Sequence, residues 1–172
     1  MSVSRSAAQH AAAGLELWQQ ERLVEAEAEY RAALQLAPQD DIARADYHSE
    51  LAAVLEALGK DQEAEQQLRT ALACAVEDDD VSTNVARYFL AGFLIRHGEA
   101  RRAVDDITPF LIAQGPGVWL LHLAAAEAWV TLGDADAADA SARCALRAAP
   151  SDDQRSDLRL RLLEIGLHEA LV

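Results

Sequence analysis

Three histidines, His10, His48 and His122, stand at matching places in three repeated stretches of the chain and are the first candidates for metal chemistry. Zinc holds its nitrogen ligands at about 2.0–2.1 Å. Equivalent residues on packed helices stand about 8–10 Å or more apart, and no His or carboxylate at i, i+4 completes a set. No metal is expected. The run Glu77-Asp78-Asp79-Asp80 has carboxylates enough for calcium but lacks the alternating spacing and the later glutamate of a calcium loop. Standing before Ser82-Thr83, it suits the positive end of a helix instead, as do Asp40-Asp41 and Asp152-Asp153 at comparable places. There is no phosphate-cradling glycine loop, no nucleophile elbow and no HExxH. Cys74 and Cys144 lie in no CxxC and fall on apolar helix faces, where small reduced core residues are expected. A Ser, a His and an Asp can be picked from any chain of this length, and their presence argues nothing. The expectation is a protein that is not an enzyme and carries no cofactor.

The elements that carry these residues must be helices. Hydrophobic residues make up 51% of the 172, yet aromatics only 5%; much of the apolar count is alanine, the strongest helix former. Four prolines and eight glycines leave little material for hairpins. The formal net charge of −14 repels a phosphate backbone and an anionic membrane surface, so neither nucleic acid nor membrane is an expected partner. The same charge keeps an alanine-rich surface in solution and leaves a basic or apolar partner as the complement. Met1 to Gly14 holds no apolar run of signal-peptide length, and no stretch approaches the roughly 18 apolar residues of a membrane span, so a cytoplasmic location is expected.

A repeat organises the chain. Gly59, Gly98 and Gly133 each end one apolar-periodic segment and precede another, and each is followed five residues later by alanine: Ala64, Ala103 and Ala138. Glu21 and Ala26 stand in the same relation. The alanines are 38, 39 and 35 residues apart, the period of a two-helix unit. Ala33, Ala71 and Ala145 follow seven residues on, with Phe110 in that place in the third unit. Pro38, Pro150 and Gly115-Pro116 close units where a helix must stop. The stripes Ala13-Gly14-Leu17, Leu51-Ala52-Leu55, Leu90-Ala91-Leu94 and Ala125-Ala126-Trp129 are predicted to bury against the second helix of each unit. Helices are predicted over 5–20, 23–36, 42–58, 61–76, 82–97, 100–114, 118–132, 135–148 and 153–170. Pro109 is expected to kink or restart the sixth. The last, with Leu158, Leu160, Leu162, Leu163, Ile165 and Leu167 among Arg155, Arg159, Arg161 and Glu164, is expected to cover the apolar face of the fourth unit.

The stretches "GLELWQQERLVEAEAEYRAALQLAP" (Gly14 to Pro38) and "AAAEAWVTLGDADAADASARCALRAAP" (Ala124 to Pro150) resemble the tetratricopeptide repeat (TPR) family. Four in-phase copies extend the resemblance over nearly the whole chain. Two spacings exceed the family's usual 34 residues, which one extra helical turn before the second and third units absorbs. The resemblance implies an all-α fold, a right-handed α-solenoid of about four TPR-like pairs, with units near 5–40, 41–80, 81–116 and 117–150 and a capping helix at 151–172, in one domain over 1–172.

In that family the first helices line an inner groove where partners lie. The resemblance therefore places Ala11, Leu15 and Trp18; Ser49, Ala53 and Glu56; Tyr88, Gly92 and Ile95; and Leu123, Glu127 and Val130 inward. The expected partner-binding set is Leu15, Trp18, Glu56, Tyr88, Ile95, Leu123, Glu127 and Val130. Trp18, Tyr88 and Ile95 would anchor the partner, and Glu56 and Glu127 would select a basic group on it. The lining lacks the cluster of Lys, Arg and Asn with which TPR clamps hold the C-terminal carboxylate of heat-shock chaperones; Arg87 and Arg96 are the nearest candidates. An apolar or amphipathic protein segment is the better complement, and part of the face is alternatively covered by the chain's own N- or C-terminal helix. The function expected is that of a non-catalytic adaptor or scaffold, with homo-oligomerisation open. The alternative is a small acidic TPR chaperone of a secretion system, whose last repeat His122 to Ala149 resembles.

Overall fold

The four repeats share one turn, and it can be traced atom by atom. In the computed structural model, which describes residues 5–76, 80–112 and 115–168, α1 (Ala7–Gln19), α3 (Arg44–Ala57), α5 (Asp80–Arg96) and α7 (Val118–Leu132) are each followed by a second helix: α2 (Leu23–Leu36), α4 (Asp61–Val76), α6 (Ala100–Ile107) and α8 (Ala135–Ala148). At each junction one residue adopts a left-handed backbone: Glu21, Gly59, Gly98 and Gly133, with φ of 59°, 71°, 79° and 78°. The next amide reaches back to the helix it leaves: Arg22 to the Leu17 carbonyl at 2.9 Å, Lys60 to Leu55 at 2.9 Å, Glu99 to Leu94 at 2.8 Å and Asp134 to Trp129 at 3.0 Å. This is a Schellman closure, which satisfies carbonyls that the helix end leaves unpaired. Five residues after the left-handed position stand Ala26, Ala64, Ala103 and Ala138, none with any exposed surface. A larger side chain there would force the two helices of the pair apart.

Glu21 is thus the one side-chain-bearing residue in a place otherwise given to glycine. A left-handed conformation costs a non-glycine residue about 1–2 kcal/mol, part of which glycine gives back through its floppier unfolded chain. Glu21→Gly is therefore expected to raise stability by about 0.5–1 kcal/mol in urea denaturation, whereas Gly59→Glu should lower it.

Among the described residues the regular secondary structure is all helical, joined by turns and short irregular stretches. The chain divides into two compact units, Met1–Asp79 and Asp80–Val172. In the first, α1 packs on α2, α2 on α3, α3 on α4, and α1 also touches α3. The predicted stripe Leu51, Ala52 and Leu55 is buried. Gly14 belongs to α1 because of Tyr30 on α2: a Cβ at Gly14 would lie 2.9 Å from the Tyr30 ring. Tyr30 is fully buried, its hydroxyl has no hydrogen bond of normal geometry, and burial raises the pKa of the neighbouring Glu50 carboxyl. Across the α2–α4 side, Glu27 holds Lys60 at 2.8 Å and Arg31 at 2.9 Å, and Arg31 reaches Glu63 at 2.7 Å.

In the second unit α5 packs on α6 and α7, α6 on α7, α7 on α8, and α9 (Asp152–Glu164) on α8. The sixth helix is shorter than the predicted 100–114. It ends at Ile107 and passes into a 3-10 turn over Thr108–Phe110. Pro109 has no amide to continue the ladder and its ring crowds the carbonyl four residues back; the Thr108 hydroxyl takes up the Val104 carbonyl at 2.7 Å. Phe110 is only half-buried, unlike the buried Ala33, Ala71 and Ala145 at the corresponding places of the other units, while Ile107 is buried. The α9 helix stops at Glu164 because Gly166 turns left-handed, φ 88°, and Leu167 closes onto the Leu162 carbonyl at 2.9 Å. It is thus shorter than the predicted 153–170, of which residues 169 and 170 lie outside the described set. The acidic residues Glu77, Asp78 and Asp79 also lie outside it.

Two of the second helices, α2 and α8, end by a device that the repeat pattern does not disclose. Arg44, opening α3, donates to the Leu34 and Ala37 carbonyls at 3.1 and 3.0 Å. Arg155 in α9 donates likewise to Leu146 and Ala149 at 3.3 and 3.4 Å. In both places the guanidinium covers carbonyls left open before a proline, Pro38 or Pro150.

Candidate interaction faces

On the first-helix side of the second unit the expected groove residues meet α9. Leu158 and Leu162 of α9 bury among Leu123 and Ala126 of α7 and Ala138, Ala142 and Ala145 of α8, with Tyr88, Trp119 and Trp129 against the same cluster. Arg161, on the same helix, donates to Glu127 at 3.0 Å and also pairs with Glu164 at 3.3 Å. Hydrogen bonding to Glu127 raises the Arg161 pKa further, and burial followed by the Glu127 charge raises that of Tyr88. Leu123, expected in the groove lining, is a core residue at 5% exposure. It lies beneath α9, so a partner cannot touch it while that helix is seated. Tyr88 and Glu127 are half-buried in the same contact. Ile95 packs on Ala100, Val104 and Ala128, and the Arg101 guanidinium lies 5.1 Å from the Trp129 ring centre. Val130 stays at the surface.

In the first unit Leu15 is 42% exposed and Trp18 half-buried, both on α1. Glu56 on α3 is half-buried. The structure therefore brings Tyr88, Leu123 and Glu127 together under α9, and leaves Leu15 and Trp18 on a helix face of their own unit. The sequence gives no sign of Arg161 as a site residue: it is one of three arginines in the last segment, and nothing in the spacing says that it, rather than Arg159, meets a carboxylate.

The three repeated histidines have different surroundings. His10 Nδ1 lies 2.6 Å from Glu29, and His48 Nδ1 2.7 Å from Gln67 with its other nitrogen buried and unpartnered. Burial lowers the pKa of both His48 and His122. Among the described residues no group of three His, Cys, Asp or Glu could hold a metal ion, and no helix is long and apolar enough to cross a membrane.

The helical fold has a solved counterpart. It is similar to that of BtubC (BKLC) from P. vanneervenii, with a TM-score of 0.68 and 18% identity, over 95% of this chain and 72% of that one. At this identity the likeness speaks to fold alone. No protein-family model matches the chain, and no curated protein matches it.

Proposed function

We propose that this chain is a TPR-like right-handed α-solenoid that holds an amphipathic segment of another protein and performs no catalysis. One observation carries the reading. A first-helix face of the second unit already receives a helix, the chain's own α9, through two buried leucines and an arginine set on Glu127. The chemistry expected of a partner segment, apolar with one basic group, is the chemistry of the helix seated there. The corresponding face of the first unit presents Leu15 and Trp18, with Glu56 on the next first helix, and takes a partner segment in the same manner.

Co-purification with mass spectrometry tests this directly. The wild-type chain is expected to retain one or more protein partners, and Leu15→Lys to lose them by more than about tenfold in affinity, because a charge is driven into an apolar contact. Leu15 is exposed, so the variant's stability should stay within about 0.5 kcal/mol of wild type. Undiminished retention by Leu15→Lys and by Trp18→Ala would remove this face from the reading.

A further inference from the structure

A second concave site lies in the Asp80–Val172 unit, lined by residues other than those under α9. A cleft of about 480 Å³ opens between Leu111, Ile112 and Gly115, the first half of α7 and the last turns of α8. Leu111, Ile112 and Val118 give it an apolar wall; His122, Cys144 and Arg147 give it a polar one. No carboxylate lines it among the described residues, in a chain with 29 Asp and Glu against 15 Lys and Arg.

Arg147 is set apart from most basic side chains of this protein. Arg22, Arg31, Lys60, Arg69, Arg102, Arg155 and Arg161 each touch a carboxylate. Arg147 instead donates its Nε to the Arg143 carbonyl at 3.3 Å and lays Nη2 3.8 Å from Cys144 Sγ. His122 faces it, and burial, followed by the Arg147 charge, lowers the pKa of the imidazole. Arg147 is thus the charged group of this cleft, beside a neutral imidazole and with no counter-ion supplied by the described residues, and such a site attracts an anion.

We propose that this cleft binds a small organic carboxylate with an apolar body. The carboxylate forks onto the two Nη groups of Arg147, the geometry in which a guanidinium binds most strongly. His122 stands beside it as a further donor, and the apolar body lies along Leu111, Ile112 and Val118. The chemistry decides the class: a cation would meet Arg147 directly, and a fully polar anion would leave the apolar wall wet. The cleft is open to solvent on one side, where Ile112 is 90% exposed, and takes a small ligand.

Cys144 supplies the readout. The full-length chain is alkylated with iodoacetamide, an uncharged reagent, and labelling of Cys144 is followed by mass spectrometry with Cys74, on α4, as the internal reference. Hexanoate is the probe. At about four times its dissociation constant it is expected to slow Cys144 labelling about fivefold, in proportion to the occupied fraction, and to leave Cys74 unchanged. Hexanamide, of the same shape without the charge, should protect little. Arg147→Gln, made at an exposed side chain, should abolish the protection at an unchanged melting temperature, while Arg147→Lys should retain part of it. An unchanged Cys144 rate at every hexanoate concentration, equal protection by hexanamide, or full protection in Arg147→Gln would each overturn the assignment. None of these outcomes depends on the protein-binding reading above.

Discussion

Ala138→Trp is expected to cost about 3 kcal/mol or more and to melt the last helix pair. Ala138 has no exposed surface and sits where α8 crosses α7, in one cluster with Leu123, Ala126, Ala142 and Ala145. Overpacking of a close crossing typically costs about 1–3 kcal/mol, and an indole in place of a methyl group is an extreme case. Neighbouring side chains have little room to yield, because the crossing is built from alanines that are already as small as a Cβ allows. The measurement is urea denaturation followed by far-UV circular dichroism, with Ala140→Trp, on the exposed side of the same helix, as the control expected to stay within about 0.5 kcal/mol. If both variants unfold at the wild-type midpoint, α7 and α8 do not cross at Ala138.

Leu162→Ala should cost about 2–5 kcal/mol, since Leu162 is wholly buried and its removal leaves a cavity between α7, α8 and α9. Leu160, two residues earlier, is 62% exposed, so Leu160→Ala should change stability by less than about 0.5 kcal/mol. Trp119 and Trp129 pack on the cluster that contains Leu162, so their fluorescence should report the loosening of α9. A small effect of Leu162→Ala together with a large one of Leu160→Ala would mean that α9 presents its other face to the pair.

Local chemistry made most of the helix pattern legible. Glycine followed five residues later by alanine marks a left-handed turn and a close crossing, two demands that few other residues meet, and the four turns stand where that signature placed them. Glu21 shows that the signature is geometric and not tied to glycine, because its backbone adopts the same conformation. The break expected at Pro109 is where the sixth helix gives way to a 3-10 turn, although its apolar periodicity runs on past that point. The faces were harder to read. Spacing puts Leu123 and Val130 on one stripe, yet Leu123 is core, in one cluster with Leu158 and Leu162 of α9, and Val130 is surface. Which segment lies over a helix face is a long-range matter that a repeat pattern does not encode. The cleft of His122, Cys144 and Arg147 is illegible for the same reason: it joins residues of α7, α8 and the segment between α6 and α7, and no repeat pattern relates them.

The arginines that finish the second helices have a consequence for cooperativity. The last carbonyls of α2 are satisfied by Arg44 at the start of α3, and those of α8 by Arg155 in α9. A helix so terminated is incomplete until its successor arrives, and the successor's first turn is pinned as it docks. Fraying of either α3 or α9 therefore strips a cap from the helix before it, so that neighbouring elements should open and close together in hydrogen exchange, beyond what their shared apolar contacts impose. The boundary between one pair and the next is then a joint made by both sides, and loosening would travel backward along the chain from α9 into the end of α8.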